Sequence, residues 1–88
     1  GLQPQVLLIL AKSGEMIARM HLSPAQISKL ATGQALSVSV GGTSYTGKIK
    51  MLGLEPVNTK EVQGYPVDVV FPIKELLRAG ATALVKLP

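Results

Sequence analysis

Gly42, Gly47 and Lys48, in the stretch GGTSYTGKIK at 41–50, have most of the spacing of a phosphate-cradling loop, GxxxxGK[ST]. Such a loop wraps backbone N–H groups around a nucleotide's phosphates and sets a hydroxyl on magnesium. Here Ile49 stands where the hydroxyl is required. IKMLGL then follows with the period of a strand and opens no helix whose N-terminus would hold the anion. The pattern therefore reads as a hairpin, with Gly41, Gly42, Thr43 and Ser44 as its turn. Gly47 faces the interior, where a bend of the barrel calls for a small residue, and Lys48 faces water.

The other reactive side chains do not assemble into a site. His21 is the single histidine, next to Arg19 on the polar face of a strand, so neither a metal set nor a general base is expected. The carboxylates Glu15, Glu55, Glu61, Asp68 and Glu75 fall on turns and outward positions, without a catalytic pair. Ser13 and Ser44 lack an elbow motif and a base. There is no cysteine, which excludes disulfides and thiolate metal sites. Met16, Met20 and Met51 occupy inward positions as core filler. The expectation is a protein that is not an enzyme, with no cofactor and no metal.

Lys and Arg number 9 against 5 Asp and Glu, a net charge of +4, but the basic residues are dispersed and form no run. Tyr45, Tyr65 and Phe71 fall on inward faces, so they offer no exposed platform for stacking bases. Nucleic acid is not the expected partner. The alternative kept open is a small barrel binding RNA or another anionic ligand through Lys48 and Lys50.

The elements that carry these residues are short. VLLILA at 6–11 reads as a buried strand, far below the ~20 residues of a membrane-spanning helix. KSG at 12–14 turns the chain, and EMIARMHL at 15–22 alternates, with Met16, Ala18, Met20 and Leu22 inward. SPAQISKLATG at 23–33 reads as a helix of about two turns. Ser23 is its N-cap, Pro24 its first residue, Gln26 the partner in a capping box, and Gly33 its terminator. Ile27 and Leu30 would plug an apolar opening. ALSVSV at 35–40 and YTGKIKMLGL at 45–54 alternate about the GGTS turn, with Tyr45, Gly47, Ile49 and Met51 inward.

The segment 55–64 reads as a polar loop. YPVDVVFPI at 65–73 puts Tyr65, Val67, Val69, Phe71 and Ile73 on one face, with Pro66 and Pro72 marking an edge strand or a strand end. KELLRAG at 74–80 reads as a helical turn and ATALVKL at 81–87 as the last strand. Six short strands and one capped helix in 88 residues define an all-β fold: a small closed antiparallel six-stranded barrel forming one domain over 1–88. An interior this narrow, filled by side chains, leaves little room for a small molecule.

Taken in order, these segments resemble the β-barrel domain of periplasmic adaptor proteins, also called membrane fusion or HlyD-family secretion proteins. The carriers are a hairpin leading into a short helix and the pair Gly33–Gln34 opening the next strand. Tyr45, Gly47, Ile49, Leu52 and Pro56 then follow the order of y.G.V..i.P, with Pro56 two residues beyond the pattern's spacing, and Leu77, Gly80, Ala81, Ala83 and Val85 follow the closing L..GM.a.V.i. The likeness runs over roughly 5–88. Ser23–Pro24 stands where an acidic residue is common in the family, and Ala81 where Met is usual.

The resemblance implies a non-catalytic scaffold domain excised from a longer adaptor, one that links an inner-membrane exporter to an outer-membrane channel in efflux or secretion. Its implied partners are the exporter, ABC or proton-driven, and neighbouring adaptor protomers. The channel would be reached through other domains. The membrane anchor would lie outside this segment, and the domain would work in the periplasm or its extracytoplasmic equivalent. A mean hydropathy of +0.35 agrees with a module covered by neighbours. The contact candidates are Gly41, Gly42, Thr43 and Ser44, then Asn58 in the 55–64 loop, with Arg19 and His21 behind them.

Overall fold

The computed structural model describes residues 6–12, 14–73 and 83–87. Strand β1 (Val6–Lys12) pairs antiparallel with β2 (Glu15–Leu22). A short helix α1 (Pro24–Ile27) precedes a second hairpin, β3 (Ala35–Val40) and β4 (Thr43–Leu52). A two-residue strand β5 (Val57–Asn58), the long β6 (Gln63–Pro72) and β7 (Ala83–Lys86) complete the chain. The spatial order is β1-β2-β6-β4-β3-β7, with β5 added beside β6. Every pairing is antiparallel. The six long strands wrap into a nearly closed barrel. β7 comes back beside β1, but no ladder joins these two among the described residues.

Period-two alternation drives the closure. Inward positions of β2 (Met16, Ala18, Met20, Leu22), β3 (Leu36, Val38, Val40) and β6 (Val67, Val69, Phe71) are buried, with Leu8, Ile49, Ala83 and Val85 supplied by the other strands. Burying each such larger side chain is worth about 1.5–3 kcal/mol against leaving it in water. Tyr45 packs on Phe71 at 5.3 Å between ring centroids, tilted by 44°. Gly47 is buried as expected, because β4 crosses the core with no space for a side chain. A Cβ there would lie 2.5 Å from Cγ1 of Val69.

Five details depart from the sequence reading. The β3–β4 turn is only Gly41–Gly42, both at positive φ (57° and 85°), while Thr43 and Ser44 already belong to β4. Two such residues twist with the strands, so no longer loop is needed. The helix is capped by Ser23 and Gln26 as expected, yet it ends at Ile27, well before Gly33. Beyond it Lys29 and Leu30 donate to carbonyls three residues back, and the Gly33 N–H turns to the Ile49 carbonyl at 2.7 Å. Bonding to β4 thus displaces further helical turns. Ile27 and Leu30 still pack against the core.

The segment 55–64 is not an irregular loop. β5 pairs with Gln63 and Gly64, and Thr59 and Val62 close the connection through backbone and hydroxyl bonds. Pro72 does mark the end of β6, but β6 is not an edge: it lies between β2 and β4. Pro66 is tolerated there because its carbonyl accepts from the Gly53 N–H, just past the end of β4. A strand residue's N and C=O point to the same neighbour, so the missing N–H falls where the ladder stops. Finally, a bulge between Ile49 and Met51 inserts one residue opposite β6. It turns Met51 outward, 40% exposed, and brings Leu52 in against the core. The helical turn expected at 74–80, and the start of the last strand at 81–82, lie outside the described residues.

Candidate functional site

The contact candidates fall in three separate places. Gly41 and Gly42, with Thr43 and Ser44 beside them, are exposed at the barrel end that also carries the Gly14 turn. Asn58 is exposed on β5, which pairs with the start of β6 at the opposite end, where α1 sits. Arg19 and His21 project from the outer face of β2. The structure brings none of these three groups together.

Glu15, Ile17, Arg19 and His21 share the outward face of β2, as the alternation of 15–22 implied, and the neighbouring strands set apolar residues beside them. Pairing across β1, β2, β6 and β4 sets Leu7, Arg19, Asp68 and Met51 in one outward row. The adjacent outward row is Ile9, Ile17, Val70 and Lys48. Leu7 is 55% exposed, and Ile9, Ile17 and Val70 are half-buried. The inner face fills the barrel, while the outer face sets five apolar residues, Leu7, Met51, Ile9, Ile17 and Val70, beside Lys48 and the pair formed by Arg19 and Asp68.

That ion pair joins residues 49 positions apart. Nε of Arg19 donates to Oδ1 of Asp68 at 2.8 Å and Nη2 donates to Oδ2 at 2.9 Å. Asp68 is buried beneath the guanidinium. Its hydrogen bonds and negative charge raise the Arg19 pKa above its ordinary value, against the opposing pull of desolvation, so the side chain stays charged. The Arg19 side chain keeps 41% of its surface, so solvent screens the pair and its net contribution is about 1 kcal/mol. Position is the larger effect. Two parallel bonds fix the guanidinium plane, and three of its five N–H groups have no acceptor among the described residues.

Other polar groups have plain roles. Glu15 pairs with Lys12 at 3.3 Å across the first hairpin's turn. His21 lies opposite Pro66, half-buried. Lys48 and Lys50 are exposed, the latter at the bulge. Among the described residues no three of His, Asp and Glu gather where they could hold a metal ion. Nothing in the sequence reading singled out Ile17, Val70 or Asp68. One signal was present: VLLILA and VDVVF barely alternate, as strands apolar on both faces do. No family model matches the chain, and no curated protein matches it.

Proposed function

We propose that this chain is a non-catalytic scaffold domain of an adaptor, or membrane fusion, protein that links an inner-membrane exporter to an outer-membrane channel. On this reading it works outside the cytoplasm and holds geometry between proteins, without making or breaking bonds. The supporting sequence observation is the order of segments that resemble adaptor barrels. The observation that carries it is a barrel filled with its own side chains, bearing outside it the exposed apolar residues Leu7 and Met51 in one row with a fixed arginine. Such an exposed apolar face is suited to protein contact. The alternative of an anionic ligand at Lys48 and Lys50 finds no stacking surface there, because Tyr45 packs inward on Phe71.

The test is formaldehyde crosslinking in cells, which joins lysine amines to neighbouring proteins and to nucleobase amines, followed by capture of the full-length protein. Lys12, Lys48, Lys50 and Lys86 lie on β1, β4 and β7 and Lys29 and Lys60 in the connections, so more than one side of the barrel is sampled. Recovery of an inner-membrane exporter and neighbouring copies is the expected result. Recovery of RNA or a cytosolic protein in their place overturns the reading.

A further inference from the structure

We infer that the outer face of β1, β2, β6 and β4 binds an acidic segment of a partner protein, one whose carboxylates lie beside apolar residues. A carboxylate takes the free edge of the Arg19 guanidinium, others meet Lys48 and Lys50, and the apolar residues lie against Leu7 and Met51. This chemistry comes from the face itself and holds with or without an adaptor role.

Asp68 holds the guanidinium by one edge only, engaging Nε and one hydrogen of Nη2. Both Nη1 hydrogens and the second Nη2 hydrogen have no acceptor among the described residues. Nη1 and Nη2 are neighbours on a planar group, so a second carboxylate can accept two parallel bonds from that edge. An arginine already fixed in one geometry loses little freedom on binding. Charge selects the occupant. Asp68 and Glu15, the carboxylates that β6 and β2 place on this face, are both in ion pairs. Lys48, in the row of Ile17 and Val70, and Lys50, the extra residue of the bulge, are exposed and in no ion pair among the described residues. The face therefore keeps a positive charge, and its complement is acidic. Leu7 and Met51 are exposed in the same row as Arg19, so the complement is apolar as well. Four strands about 4.8 Å apart span about 15 Å, a distance that about five residues of extended chain cross.

The same residues argue against other occupants. A second copy docked face to face has, among the described residues, no unpaired carboxylate on this face to set against Lys48 and Lys50. A bilayer would draw the Arg19–Asp68 pair into hydrocarbon, where the desolvation of both charges opposes insertion. A nucleic acid would find no aromatic ring among the residues of these two rows to stack on.

The experiment pans a phage-displayed library of random dodecapeptides against the chain and measures synthetic copies of the enriched peptides by fluorescence anisotropy. Enriched peptides should carry several Asp or Glu beside apolar residues, and their affinity should fall as salt is raised. Lys48→Glu with Lys50→Glu should weaken binding by about tenfold or more, and so should Met51→Asp. Leu7→Asp takes its place should circular dichroism show that Met51→Asp disturbs folding. Lys29→Glu with Lys60→Glu makes the same change in net charge at the α1 end, away from the face, and should alter binding by less than about twofold. Equal weakening by the two charge reversals overturns the face, since a diffuse positive field would then suffice. No enrichment, or enriched peptides poor in carboxylates, overturns the acidic occupant. Phosphatidylglycerol vesicles or an RNA oligonucleotide that bind more tightly than any peptide, and are released by the Lys48 and Lys50 reversal, overturn a protein segment as the occupant. The adaptor reading stands or falls separately, on the crosslinking.

Discussion

At Gly47 the backbone of β4 runs so close to β6 and β3 that Val69, the Val70 carbonyl and Val38 leave no space for a methyl group. The nearest obstacle is a single side-chain atom, Cγ1 of Val69, at 2.5 Å from where a Cβ would stand. Gly47→Ala should therefore destabilise the fold by about 1–3 kcal/mol, the cost of overpacking a tight core. Val69→Ala alone should also destabilise, by leaving a void. In the double variant the two effects should fall short of their sum, since the second change removes the atom the first one strikes. Urea unfolding of the four proteins checks this, and strict additivity would show that the strain lies in the backbone. The same residue looks like part of a phosphate loop in the linear sequence. Its glycine is required by packing, so the resemblance to that motif is one of spacing alone.

Among the elements, β4 depends most on a single irregularity. The bulge at Lys50 gives its two halves opposite parity: Ile49 faces in, and after the extra residue Leu52 does so again. Met51→Ser should change stability by no more than about 0.5 kcal/mol, as for other exposed sites. Leu52→Ser should cost several times as much. The reverse ranking, read from thermal melts, would mean that β4 keeps unbroken alternation. β2, β3 and the first half of β4 were legible in the sequence because period two is a local signal, β1 was legible as a continuous apolar run, and so was the Ser23–Gln26 capping box. The bulge was not, since it shows only against the register of β6. β5 escaped notice for its two residues. Arg19 and Asp68 each read as an outward polar residue; nothing local states that β2 and β6 are neighbours, and without that the ion pair and the apolar rows around it cannot be assembled.

At the scale of the molecule, β2, β6, β4 and β3 are each laddered on both sides, and β6 takes β5 in addition, whereas no ladder joins β1 and β7 among the described residues. Hydrogen exchange should thus be slowest at β6 amides, approaching the rate of global unfolding, and fastest among strand amides on the β7-facing side of β1. Uniform protection would mean that β1 and β7 are laddered in solution. The strand order has a temporal consequence as well. Two hairpins, β1–β2 and β3–β4, are local in the chain, but the strand that joins them spans Gln63–Pro72. During synthesis both hairpins emerge before their common neighbour exists. Met16, Met20 and Ile49 must wait in water until it arrives. The chain is therefore most prone to aggregate while β6 has yet to join the two hairpins, and the sheet can be assembled only once that strand is free to enter it.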